Sequence, residues 1–230
     1  MTRVEPLEAI TAATGDLIAS AARLGEADMR APSLLPGWTR GHVLTHVARN
    51  ADGGTRLLTW ARTGVEAREY PSVEARAAEI EDGAGRPAAV LVADVRDSAE
   101  RWAEAYEAMP DDAWERVVVW TSGARRPIAR ATDSRLTEVL THHVDLDAGF
   151  GPGDWPAEYV ARMLPNIVAS YARRAEAPRL RVRATDTGAA HGDGGTVVSG
   201  PASSLLAWLM GRADGRDLTG AEGVELPFLY

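Results

Sequence analysis

Through roughly the first two-thirds of the chain, apolar residues recur at the three-and-four spacing of helices. Pro6 to Arg23 is rich in Leu, Ile and Ala and reads as an opening helix. Ala31-Pro32-Ser33-Leu34-Leu35-Pro36-Gly37 breaks the pattern, and Thr39 can cap a second helix running from about Arg40 toward Arg62. Val43, Leu44, Val47, Ala48 and Ala51 form one stripe of that helix, and Gly53-Gly54 is expected to loosen it. Ser72 starts a further helix that ends near Asp82-Gly83, and Pro87 to Met109 is a long amphipathic stretch stopped by Pro110. Val117 to Trp120 is a short strand or extended loop, and Ser134 to Ala148 is a helix closed by Gly149.

The pattern changes at Gly151-Pro152-Gly153-Asp154-Trp155-Pro156, which reads as a linker. A helix over Ala157 to Arg174 precedes Leu180 to Thr185, where apolar and charged residues alternate as in a half-buried strand. Gly188 to Gly195 reads as a loop, Thr196 to Gly200 as a second strand, Pro201 to Arg212 as a helix, and Val224-Glu225-Leu226 as a last short strand. The expected architecture is α+β, with a helical bundle over residues 1–152 and a small α+β domain over residues 153–230.

Composition narrows the function classes. A net charge of −8, with no run of basic residues, argues against a nucleic-acid surface. No uninterrupted apolar stretch is long enough for a membrane helix. Glu5, Pro6, Glu8 and Asp16 break up the N-terminal segment, unlike a secretory signal, so a cytoplasmic enzyme is expected. The chain has no cysteine, which removes disulfides, thiolate metal ligands and a protein thiol nucleophile.

Glu138 and His142 stand four apart, and residues so spaced share a side of a helix. His46, on the second helix, could complete a two-His-one-carboxylate set of the kind that holds catalytic zinc with a position left open. His42 with His46, and His143 with Asp147, are rival constellations. Helical geometry places His42 roughly 170° and His46 roughly 130° from the centre of the apolar stripe. In the later helix His143 falls within the stripe of Leu136, Val139, Leu140 and Leu146, whereas Glu138 and His142 fall outside it, where periodicity expects a solvated ion pair. HExxH and GxSxG patterns are absent, and the glycine-rich loop around His191 lacks the order of a phosphate-binding loop.

Leu35-Pro36-Gly37-Trp38-Thr39-Arg40-Gly41-His42-Val43-Leu44-Thr45-His46 resembles a signature of the mycothiol-dependent maleylpyruvate isomerases. So do Tyr70 to Arg76 and Arg135 to Leu146, and Gly200 to Arg212 resembles that family's C-terminal domain. The resemblance implies a DinB-like four-helix bundle whose zinc ligands are His46, Glu138 and His142, with His42 and His143 as neighbours. It also implies mycothiol as the thiol cosubstrate and a small carboxylate substrate, maleylpyruvate, isomerised to fumarylpyruvate. Arg76, Arg212 and Arg216 are the candidate carboxylate-binding residues, since arginine forks suit such groups. Thr137 and Thr141 depart from the family pattern beside the glutamate. Alternatives are a mycothiol S-transferase acting on another electrophile and a non-catalytic ligand-binding bundle, and another divalent metal could take zinc's place.

Overall fold

The computed structural model describes residues 4–227, and these divide into two compact units between Gly149 and Phe150. The fold is α+β, and among the described residues no helix is long and apolar enough to cross a membrane.

The first unit is built around α3 (Arg40–Thr63), which packs on α4 (Val73–Ala84), α5 (Ala88–Glu107) and α6 (Arg130–Asp145). Helix α1 (Val4–Ala21) packs on α5 and α6 and closes the bundle, and α2 (Glu26–Arg30) is a single short turn against α3. Leu17, Val43, Leu44, Val47, Leu57, Leu58, Val95 and Val139 have no solvent exposure. Each such side chain contributes about 1.5–3 kcal/mol of transfer free energy before conformational entropy is counted.

Caps fix where the site-bearing helices start. At α3 the Thr39 hydroxyl accepts from the His42 backbone N–H, while His42 Nδ1 accepts from the Thr39 N–H at 3.1 Å. His42 thus fills the place that Glu or Gln takes in a capping box. At α4 the Ser72 hydroxyl accepts from the Ala75 N–H at 3.0 Å. The expected loosening at Gly53-Gly54 does not occur, because α3 runs through it unbroken. These glycines instead make room: a Cβ at Gly54 would lie 2.6 Å from the Trp102 indole nitrogen. Gly41 is tighter still, since a Cβ there would lie 2.1 Å from the Ala84 carbonyl oxygen at the end of α4. Between α5 and α6 the chain forms a hairpin of β1 (Val117–Val119) and β2 (Arg125–Pro127), antiparallel.

The second unit packs α7 (Ala157–Ala172) and α8 (Ala202–Leu209) on each other and on a three-stranded sheet. Its strand order is β4 (Ala190–His191), β3 (Leu180–Ala184), β5 (Thr196–Gly200), with β3 parallel to β5 and antiparallel to β4. In β3, Leu180, Val182 and Ala184 face inward while Arg181 and Arg183 stay exposed, as period-two alternation requires. Strand β4 lies within the segment expected to be a loop. Residues 224–226 form no strand, because the returning chain instead meets Ser199 at Thr219, with reciprocal backbone bonds of 2.9 and 2.8 Å.

Candidate metal centre

Helices α3 and α6 are neighbours in the first unit, and their contact brings His46, Glu138 and His142 together. His46 Nε2 lies 2.9 Å from Glu138 Oε2, and His142 Nε2 lies 3.3 Å from the same oxygen. The two imidazoles meet edge to face with centroids 4.4 Å apart. Each residue offers one donor atom, and the three donors lie within 4.8 Å of one another. A tetrahedral ion with bonds of about 2.0–2.1 Å needs donors about 3.3 Å apart, so the trio fits a divalent cation without large rearrangement. Its donor set, two imidazoles and a carboxylate, suits zinc and also nickel or iron.

The solvated face expected for Glu138 and His142 is corrected by their burial. The Glu138 side chain is 23% exposed and His142 9%, with His46 at 4%. A stripe argument assumes one covered side, but α6 is covered by α1 on one side and α3 on the other. His143, one residue on, turns toward α1, where its Nε2 lies 2.8 Å from the Ser20 hydroxyl. His42 stays at its cap, with Nε2 donating to Glu81 at 3.1 Å. His191 sits in β4 of the other unit.

The outer nitrogens of the two site histidines meet opposite partners. His142 Nδ1 is 2.8 Å from Asp145 Oδ2, a close approach that lies off the ideal hydrogen-bond line. Asp145 is 1% exposed and escaped the sequence reading, although its i,i+3 spacing from His142 is the signal that could have found it. His46 Nδ1 is 3.0 Å from Arg76 Nη2, and the Arg76 guanidinium stacks over Tyr70 with 5.4 Å to the ring centroid. Arg76 is therefore at the centre. Arg212 and Arg216 belong to the second unit, where Arg212 donates to the Met210 carbonyl at 2.8 Å and the exposed Arg216 pairs with Asp214 at 2.8 Å.

Burial, reinforced by the His142 charge, pulls the His46 pKa down to about 4 against the opposing pull of Glu138. Burial also works against a charged His142, but Asp145 and Glu138 together outweigh it and raise its pKa. Glu138 is held well below the usual carboxylate range, its desolvation overcome by bonds from His142 and His46. Burial, with Glu69 nearby, pushes the Tyr70 hydroxyl up to about 12. Without a metal the centre therefore carries a carboxylate, a neutral His46 and an imidazolium at His142 over much of the mildly acidic range. A cation arriving there displaces one proton, as carboxylate–imidazole sites do.

Two family models match the chain: the mycothiol maleylpyruvate isomerase N-terminal domain over residues 10–147, and the MDMPI C-terminal domain over residues 154–226. Among solved structures, the crystal structure of the mycothiol-dependent maleylpyruvate isomerase superposes with a TM-score of 0.92 at 28% identity, covering 100% of this chain and 98% of that one. A histidine-to-alanine mutant of that enzyme matches with a TM-score of 0.91 at the same identity and coverage. No curated protein matches the chain in sequence.

Proposed function

Because the chain belongs to the mycothiol maleylpyruvate isomerase family, in both of its domains, we propose that it converts maleylpyruvate to fumarylpyruvate with mycothiol as cosubstrate. The observation that carries this reading is the convergence of His46, Glu138 and His142 at the α3–α6 contact. These three would hold a divalent cation, zinc in our reading, whose charge favours the thiolate form of an added thiol near neutral pH. A chain without cysteine must take that thiol from outside.

The protein's own side chains position and shield. Glu138 stays ionised through the working pH range and supplies the negative donor. Asp145, 2.8 Å from Nδ1 of His142, favours the tautomer with its hydrogen on Nδ1, so that loss of the Nε2 proton now shared with Glu138 would free the Nε2 lone pair for a cation. Arg76 offers a guanidinium fork beside the trio for a substrate carboxylate, and Tyr70 packs against it and keeps its own proton. Arg212 and Arg216 are further carboxylate-binding candidates, from their place in or beside the family-like C-terminal motif. Addition of a thiolate to the cis double bond leaves a single bond, rotation about it brings the trans arrangement, and expulsion returns the thiol unchanged.

The test is an isomerase assay with and without mycothiol and with and without a chelator, on the parent and His46→Ala. The expected result is activity that needs both additions and is lost in the variant. Full activity in metal-stripped protein, or without any thiol, would overturn the reading. A stable thioether product would instead identify an S-transferase.

A further inference from the structure

Tyr70 lies in the segment that joins α3 to α4 and is 6% exposed. Two guanidiniums lie over its ring, Arg76 at 5.4 Å and Arg56 at 5.9 Å from the centroid. The residue before it is tied down twice. Arg56 Nε donates to the Glu69 carbonyl at 3.0 Å, and the Glu69 carboxylate accepts from the Thr121 N–H at 3.0 Å. Gly53 makes room for the ring: a Cβ there would lie 3.4 Å from Tyr70 Cζ, the carbon that bears the hydroxyl. Gly53 follows His46 by seven residues, about two helical turns, so the hydroxyl end of the ring rests on the His46 side of α3. The phenol oxygen meets Arg76, and a guanidinium can only donate, so the oxygen accepts. Its own hydrogen is then free for another acceptor. Among the described residues none takes it, and the oxygen is not one of the buried polar atoms shut away without a partner.

We propose that the Tyr70 hydroxyl is a catalytic hydrogen-bond donor to the enolate oxygen that forms during isomerisation, a role that rests on the isomerase reading. Thiolate addition at the alkene carbon bearing the carboxylate makes a carbon–sulfur bond. The alkene pair shifts to a double bond toward the ketone carbon, and the ketone π pair settles on its oxygen as an enolate. The bond that must rotate is single only while that charge is on oxygen. Collapse reverses each shift: the carbonyl and the alkene re-form, and the carbon–sulfur pair leaves with sulfur. No proton is gained or lost across the cycle, so the oxygen needs a donor that keeps its hydrogen. Burial holds the Tyr70 phenol in that state, with its pKa pushed up to about 12. The Glu138 charge, felt at the phenol, would oppose an unassisted enolate there. Arg76 is left for the carboxylate.

The test compares the full-length, metal-loaded parent with Tyr70→Phe, which keeps the ring under both guanidiniums and removes only the hydroxyl. Steady-state kinetics should show kcat lowered by about 10²–10³-fold with KM nearly unchanged, as for loss of a donor used only in the transition state. A second readout needs no turnover. The nitronate of 3-nitropropionate carries a planar oxyanion beside a carboxylate, and calorimetry should find it bound about 10–100-fold weaker by Tyr70→Phe. Butyrate, with a carboxylate and no such oxyanion, should bind parent and variant alike, which shows Arg76 undisturbed. Parent-like kcat, a raised KM with kcat unchanged, equal nitronate affinity, or butyrate weakened as far as the nitronate would each overturn the proposal while an active parent leaves the isomerase reading standing. A parent that does not isomerise maleylpyruvate sinks that reading, and this role with it.

Discussion

Arg76 donates to the ring nitrogen of His46 that faces away from Glu138, across 3.0 Å. Arginine has only donors, so Nδ1 accepts and the neutral ring carries its hydrogen on Nε2, toward Glu138. A cation taken up by Nε2 forces that hydrogen to Nδ1, where it confronts a donor. Arg76→Ala is therefore expected to tighten metal binding several-fold while lowering kcat/KM for maleylpyruvate by about 10–100-fold through loss of a charged hydrogen-bonding group. Metal titration and steady-state kinetics read the two effects separately. A variant with metal affinity and kcat/KM both unchanged would remove Arg76 from the centre.

Asp145 acts on His142 in the opposite sense, holding its hydrogen on Nδ1 and freeing Nε2. Asp145→Ala is expected to weaken metal affinity by about 10–100-fold, the usual range for an outer carboxylate on a ligand histidine. Asp145→Asn, whose amide oxygen can still accept, should lose less. Equal affinity for parent and Asp145→Ala, measured by competition with a metal indicator, would contradict this role.

Acid should destabilise the metal-free protein through His46. Its pKa in the folded state is about 4 against 6.5 for an unperturbed ring, so the unfolded chain takes the proton first. Stability from this residue is complete above pH 6.5 and falls as pH drops toward 4, by about 3 kcal/mol in all. His142 has the opposite sign and a different window: its raised pKa contributes stability that is full below pH 6.5 and fades as pH rises through the folded value. Denaturant midpoints of chelator-treated protein between pH 7 and 4.5 should fall more steeply for the parent than for His46→Gln. Parallel slopes would show that His46 is not the group responsible.

Gly41→Ala tests the approach of α4 to α3. Its Cβ would meet a backbone carbonyl, which cannot swing aside as a side chain can. The expected loss is about 1–3 kcal/mol of stability. Because α4 carries Arg76, the Arg76–His46 contact should loosen with it. A melting temperature equal to the parent's would indicate that α4 yields freely.

The helix starts were legible because their chemistry is local: Thr39 and Ser72 are hydroxyls placed at the capping position. His46, Glu138 and His142 stood out by spacing and by the wording around them, but spacing alone left His42 and His143 as rivals. What separated them is local in one case and tertiary in the other: His42 is spent on its cap with Thr39, and His143 is turned toward Ser20 on α1. Periodicity misplaced Glu138 and His142 because a helix with two packed neighbours has no single polar face. Asp145, the Thr219 contact that replaces a last strand, and the placement of Tyr70 on α3 all depend on which helices and strands meet, which residue order along one segment does not encode.

His46 and Glu138 are separated by 92 positions in the chain. An ion seated between them would act as a cross-link, pinning α3 to α6 and closing a loop long enough that its closure restricts the unfolded chain by about 4–5 kcal/mol in chain-entropy terms. A protein without cysteine has no disulfide to do this. The centre would then serve as the bundle's fastener as well as its chemistry, and metal depletion would be felt first as a less durable fold.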